Sequence, residues 1–141
     1  KKRVKPTGKV ICIEYSEEQC ELVRKLNLAD YVIQGNAQHP LEILQKYQQI
    51  MGDRLADLTI NTVNVSDTEV STVLITDNEG LVYFFSMSTN FAKASLGAEG
   101  SGKYTKMLVG NGYYPGHAAV TFQIMRDNPL LKTYFENKYL I

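Results

Sequence analysis

The chain has 141 residues, 44% hydrophobic and 21% charged, with 15 basic side chains balanced by 15 acidic ones. That length and apolar share suit one soluble domain with a real core. The zero net charge leaves no electrostatic case for nucleic acid or an anionic membrane, and no apolar run approaches the ~20 residues that cross a bilayer.

The first residues, Lys1-Lys2-Arg3-Val4-Lys5, carry no methionine and read as the end of a helix, so the chain is expected to be a piece of something longer. Pro6-Thr7-Gly8 breaks that helix and turns into a strand over Lys9 to Glu14, an apolar run that ends in one carboxylate. Ser16 is an N-cap with Gln19 at the capping-box position, and the stripe Cys20, Leu22, Val23, Leu26 predicts a helix from Glu17 to about Leu28. Tyr31-Val32-Ile33 is a short strand. After the polar loop Gln34 to His39, Pro40 opens a helix that carries Leu41, Ile43, Leu44 and Tyr47 to Met51, and Gly52 closes it.

Leu58 to Val63 is the next strand, its β-branched content outweighing Asn61. Asp67 is the expected cap of a helix through Val70, Val73 and Leu74. Asn78-Glu79-Gly80 is expected to turn the chain into a buried strand, Leu81 to Ser86. From Ser88 to Gly102 the periodicity fails, and Gly97, Gly100 and Gly102 predict a loop or broken helix. Lys106 to Val109 resumes as a strand. A helix follows Pro115 over His117 to Met125, Asn128-Pro129 resets the chain, and Leu130 to Tyr139 is a final helix.

Apolar strands alternating with helices predict an α/β fold: a parallel, Rossmann-like sheet with helices on both faces. Ligands of such sheets sit outside the carboxyl ends of the strands. The segments expected there are Glu14, Gln34 to Asn36, Asn61 to Asn64, Ser86 to Asn90 and Gly110 to Gly112. A carboxylate at a strand end, followed by a helix start, suits the ribose hydroxyls of NAD, because it accepts two charge-assisted hydrogen bonds. The glycine fingerprint that should precede it is absent from this chain. Cys12 and Cys20 have no metal-site spacing and read as free thiols of a reducing compartment, which points to the cytoplasm; no metal site is expected. Gly97 to Lys103 has some likeness to a phosphate loop but lacks its spacing and the following Ser or Thr. His39 reads as a loop residue, and Tyr113 and Tyr114 as packing groups.

The segment from Glu14 through Ser16-Glu17-Glu18 to Ala29-Asp30-Tyr31-Val32-Ile33 resembles the nucleotide-binding domain of medium-chain dehydrogenases. Val82 to Thr89, Ala94 to Gly100, and Val109 to Tyr113 with Gly116-His117-Ala118 are similar to the 3,5-diaminohexanoate dehydrogenase family of lysine fermentation. The resemblance implies NAD(P)-dependent oxidative deamination of a diamino acid to 5-amino-3-oxohexanoate and ammonia. It makes Glu14 the ribose acid, with Tyr15 and Ser16 beside the adenosine and Thr62, Val63 and Asn64 along the cofactor. Ser86, Met87 and Ser88 fall on the nicotinamide side. NAD is expected over NADP because a carboxylate repels a 2′-phosphate, unless Lys9 or Arg24 reaches it. Glu99 is a candidate for a substrate amine. His117 is a candidate for the substrate carboxylate or a proton relay, against a plain capping or packing role.

In the six-stranded order of such a domain, the first strand lies between the strand that ends in Glu14 and the strand Leu58 to Val63. That strand, the glycine-rich turn and the substrate domain are not in this chain. The expectation is therefore a partial nucleotide-binding domain over residues 1–141, the carboxyl-terminal part of a larger dehydrogenase, inactive until its amino-terminal portion joins it. A homodimer paired along Lys106 to Val109 is expected. A stand-alone nucleotide-binding or dimerisation module without catalysis is the alternative.

Overall fold

The structure, a computed structural model, describes residues 4, 6–110 and 113–140. The expected helix tail falls outside them except for Val4, an exposed bend, and so do Asn111 and Gly112 of the Gly110-Asn111-Gly112 segment. The chain divides into two compact units, Lys1–Asn111 and Gly112–Ile141.

In the first unit, β1 (Ile11–Glu14), α1 (Glu17–Lys25), β2 (Tyr31–Gln34), α2 (Pro40–Met51) and β3 (Ala56–Asn61) follow in order. α3 (Glu69–Leu74), β4 (Thr76–Phe84), α4 (Phe91–Gly100) and β5 (Lys106–Val109) complete it. Every strand pairing is parallel, and the strands form two sheets, β1-β2 and β3-β4-β5. No Cα of β1 comes within 8 Å of a Cα in β3, whereas paired strands lie about 4.8 Å apart. The gap expected between Glu14's strand and Leu58's strand is therefore present.

Two contacts align the sheets. Gln38 Nε2, in the loop after β2, donates to the Ser66 carbonyl in the loop after β3 at 3.1 Å, and Ser71 Oγ donates to the Ala37 carbonyl. The carboxyl ends of both sheets thus share one edge. Ile11, Ile13 and Ile33 turn one face of the small sheet into a core with Ile43 and Tyr47 of α2, joined by Ile75. Cys12 points from the other face, where α1 packs with its fully buried Cys20. Helices thus lie on both faces of the small sheet. Ile43 has no exposed surface, so Ile43→Ala should cost about 2–5 kcal/mol of stability, read by urea denaturation.

α1 stops three residues short of the expected Leu28. Asn27 adopts φ 52°, and the Asn27 and Leu28 amides donate to the Arg24 and Val23 carbonyls at 3.0 and 3.2 Å. This paired bonding ends a helix through a left-handed residue. Asp67 is likewise not the cap of α3. It sits at φ 71° and pairs with Lys93, while Thr68 occupies the cap position.

The Asn78-Glu79-Gly80 turn lies inside β4 rather than before it. The register passes from Ala56↔Thr76 to Leu58↔Leu81, and Asp77 Oδ1 accepts from the Glu79 amide at 3.0 Å, so the turn residues bulge out of the ladder. A Cβ on Gly80 would stand 2.8 Å from the Ala56 carbonyl oxygen. Gly80→Ala should therefore destabilise by about 1–3 kcal/mol through backbone displacement, measured as a shift in the denaturation midpoint.

The expected loop or broken helix over Ser88 to Gly102 contains the continuous helix α4. Asn90 Oδ1 caps it on the Lys93 amide at 3.1 Å. Gly97 does not break it: the missing side chain lets α4 approach α3, since a Cβ there would lie 3.1 Å from Val70 Cγ2. Ala94 is buried against Val82 and Phe84, with Met107 packed beside them.

The second unit is a helix pair, α5 (His117–Asp127) and α6 (Pro129–Tyr139), and neither helix buries a residue. Asn128 Oδ1 caps α6 on the Leu131 amide at 3.2 Å. No helix of the described residues is long and apolar enough to cross a membrane.

Candidate functional site

Two groups of residues meet the shared carboxyl edge of the first unit. The first grows from β1. Its last residue, Glu14, is half-buried; Oε1 accepts from the Tyr15 amide at 2.9 Å, and Oε2 has no hydrogen-bond partner among the described residues. The Glu14 backbone carbonyl is held by the Gly35 amide at 2.9 Å and by the Cys20 thiol at 3.8 Å. Tyr15 is exposed. Ser16 caps α1 through the Gln19 amide at 3.4 Å, the contact expected from their spacing. An anchored strand end thus presents a carboxylate with one oxygen available to a ligand.

The surroundings of that carboxylate are acidic, with Glu17 and Glu18 in the first turn of α1. Neither cation expected to offset it does so. Arg24 pairs with Glu17 at 3.0 Å and also with Glu21. Lys9 precedes β1, roughly 16 Å of strand away from Glu14 at about 3.3 Å per residue.

The second group stitches the loops after β3 and β4. Ser86 Oγ donates to the Val63 carbonyl at 2.6 Å and lies 3.3 Å from Asn64 Oδ1, which accepts from the Met87 amide at 3.2 Å. Ser86 Oγ also accepts from the Ser88 amide at 3.1 Å. Val63, Asn64, Ser86, Met87 and Ser88 are thus brought together as expected, with Thr62 beside them in the same loop. The Val63, Met87 and Ser88 amides are all bonded internally, so the loops form a prepaired wall rather than a nest of donors. Met87 stands on that wall with its side chain 98% exposed.

Asn61 and Glu69 hold this wall; the sequence placed Asn61 at the ligand edge without a structural role, and it assigned none to Glu69. Asn61 Nδ2 donates to Thr68 Oγ1 and Thr72 Oγ1 at 3.0 and 2.9 Å, and Oδ1 accepts from the Val63 amide at 3.1 Å. Glu69 is 1% exposed. Its Oε1 accepts from the Asn90 amide at 2.6 Å, and its Oε2 is buried without a partner among the described residues. The available signal was an Asn at the end of an apolar strand, facing Thr68 and Thr72 one helical turn apart.

Glu99 does not join either group. It lies in the last turn of α4, and the residues just after it reach the amino end of β4: Lys103 Nζ donates to the Thr76 carbonyl, and Thr105 Oγ1 to the Asp77 carbonyl at 3.1 Å. A ten-residue helix separates Glu99 from the Ser86 loop, about 15 Å at 1.5 Å per residue. His117 belongs to the second unit. Its Nδ1 lies 2.8 Å from the Tyr114 carbonyl, an acceptor only, so Nδ1 carries the proton, and the ring packs edge-on to Tyr113. These contacts are those of a cap. His39 Nδ1 contacts Glu42 at 3.4 Å. The Lys46 ammonium first, and His39 second, hold the Glu42 carboxyl below its ordinary range.

Burial pushes the Cys12 and Cys20 thiols above their ordinary value of 9.0. The unfolded chain loses these protons first, so their contribution to stability is held below about pH 9 and lost as pH rises through the folded values. Urea midpoints should fall between pH 8 and pH 10 beyond the change shown by the Cys12→Ala, Cys20→Ala double variant.

No family model matches the chain. It is 45% identical over 140 residues to L-erythro-3,5-diaminohexanoate dehydrogenase of Acetoanaerobium sticklandii, covering 99% of this chain and 41% of that protein. It is 40% identical over 139 residues to the enzyme of the same name from Fusobacterium nucleatum, covering 99% of this chain and 40% of that protein. The chain thus spans about two fifths of the length of the curated relatives it matches, and the resemblance seen in its later motifs extends over nearly all of it.

Proposed function

We propose that this chain is the cofactor-gripping part of an NAD-dependent dehydrogenase that oxidises an amine-bearing carbon of a 3,5-diaminohexanoate-type substrate to an imine, which water then hydrolyses to ammonia and a 3-oxo acid. The observation that carries the reading is the Glu14 carboxylate, whose Oε2 has no hydrogen-bond partner among the described residues, on the edge shared with the stitched 62–64 and 86–88 loops. The names of the relatives supply the substrate class. Bound NAD would supply the hydride acceptor. Glu14 would accept the two ribose hydroxyls, with Tyr15 and Ser16 flanking the adenosine. Thr62, Val63 and Asn64 with Ser86, Met87 and Ser88 would wall the nicotinamide end.

The acidic surroundings of Glu14 and the engagement of Arg24 favour NAD over NADP. His117 remains a candidate for the substrate carboxylate through Nε2, whereas Glu99 is dropped from the substrate site. The pyrophosphate cradle and the substrate domain belong to the amino-terminal portion, and the enzyme acts in the cytoplasm as a homodimer. Residues 1–141 alone should therefore show no turnover. Fused behind the amino-terminal portion of the A. sticklandii enzyme, they should reduce NAD when given 3,5-diaminohexanoate; a folded fusion without NAD reduction sinks the proposal.

A further inference from the structure

We infer that Glu69 is a positioning residue for the nicotinamide-side loop: it completes the cap of α4 from outside that helix and so fixes where residues 86–90 end. A helix start is closed reciprocally when the cap side chain bonds the N3 amide and a Glu or Gln at N3 reaches back to the cap amide. In α4 the first half is present, since Asn90 Oδ1 accepts from the Lys93 amide at 3.1 Å. The second half cannot come from the helix itself, because N3 is Lys93, whose side chain only donates. Glu69, the first residue of α3, takes that place: its Oε1 accepts from the Asn90 amide at 2.6 Å. Two residues earlier, Asp67 pairs with the Lys93 ammonium, a cation that the positive end of a helix disfavours. The 67–69 segment thus brings to α4 the carboxylates that its own first turn lacks.

Two costs fall on this short segment. Asp67 is held at φ 71°, a left-handed backbone that costs energy in any residue but glycine. Glu69 is buried with its Oε2 unpartnered among the described residues, and a buried polar oxygen without a donor is destabilising. An apolar side chain of similar size would avoid that penalty, so stability does not account for a carboxylate here. The loop it holds does. Ser86 Oγ ties the start of residues 86–90 to the Val63 carbonyl, and the Glu69 bond fixes their last member. Met87 and Ser88 lie between the two ties. The helices themselves meet elsewhere, where Gly97 of α4 lies against Val70 of α3, a contact that does not need the Glu69 bond. The inference rests on the reading of residues 86–88 as the nicotinamide wall, and it adds Glu69 as the group that sets where the wall ends.

The test uses the full-length fusion. Glu69→Leu should raise KM for NAD about 10-fold, the scale of one lost helix cap. Its kcat should stay within about twofold of the parent, and its melting temperature within about 4 °C. The Asn90 amide should exchange about 10-fold faster, with or without NAD. Glu69→Gln keeps an acceptor at the same reach and should hold KM and Asn90 exchange within about twofold of the parent. Adding Lys93→Gln to Glu69→Leu rebuilds the reciprocal cap inside α4 and should restore both readings, whereas Lys93→Gln by itself should match the parent. An unchanged KM or an unchanged Asn90 exchange in Glu69→Leu overturns the inference, as does a raised KM that Lys93→Gln leaves uncorrected. Failure of both Glu69→Leu and Glu69→Met to fold makes Glu69 a residue of the core alone and overturns it too. If the parent binds no NAD, the proposed function falls and Asn90 exchange across these variants still decides the inference. NAD binding with unchanged Asn90 exchange sinks only the inference.

Discussion

Replacing Glu14 by Ala in the fused, full-length enzyme should weaken NAD binding about 100-fold while leaving the fold in place. Each hydrogen bond to a charged group is worth about 1.5–3 kcal/mol, so losing both ribose contacts removes at least about 3 kcal/mol, roughly two decades of affinity. Folding should change little, because among the described residues the carboxylate's hydrogen bond is to the Tyr15 amide next to it in the chain, and one such bond is worth about 0.5–1.5 kcal/mol. The variant should also narrow the preference for NAD over NADP, since an anion beside the 2′ position has gone. Glu14→Gln separates charge from shape: it keeps the size and one acceptor, and should fall between the two. Fluorescence titration with each nucleotide reads all three proteins. Unchanged NAD affinity in Glu14→Ala would remove the carboxylate from the ribose site.

Asn61→Leu should be the most damaging single change on the other side of the edge, costing about 3 kcal/mol of stability. Asn61 is 7% exposed and joins β3 to α3 and to its own following loop through three hydrogen bonds. Leucine fills a similar volume but strands the buried hydroxyl oxygens of Thr68 and Thr72 without their donor, a penalty of about 1–3 kcal/mol for such groups. For a chain of this size the melting temperature should drop by roughly 10 °C. The loss also reaches function. The freed Val63 amide loosens the backbone whose carbonyl anchors Ser86, so KM for NAD should rise in the full-length enzyme. Gly80→Ala, of comparable stability cost but at the amino ends of β3 and β4 beside Ala56 and Thr76, should leave KM where it is. Equal effects of the two variants on KM would show that Asn61 acts through stability alone.

The parts of this architecture written in local chemistry were legible before any coordinates. Pro40 and Gly52 bracket α2 because one pre-sets φ and the other adopts φ 63°, and the strand ending in Glu14 announced itself by its apolar run. The split sheet was legible from strand order alone, since a doubly wound sheet without its central strand has to come apart between β1 and β3. Gly97 misled because a glycine that admits a neighbouring helix looks the same in sequence as one that ends a helix. Asn78-Glu79-Gly80 misled because a bulge within a strand uses the residues of a turn between strands. Glu99 was assigned to the substrate from its charge and the surrounding glycines. Once α4 is a helix, its length carries Glu99 to the opposite edge of the sheet, and only the tertiary path of the chain shows that. Asn61 was placed at the ligand edge but its structural role was not seen, because strand propensity treats an Asn as a weakness, whereas here Thr68 and Thr72 beside it supply partners.

Hydrogen exchange on the full-length fusion, with and without NAD, tests the central claim most directly. NAD should slow amide exchange in two separated segments together, residues 14–16 and the paired loops 62–64 and 86–88, and leave the last turn of α4 around Glu99 unchanged. Protection confined to other parts of the enzyme, with both segments unaffected at saturating NAD, would contradict the assignment of this edge as the cofactor site.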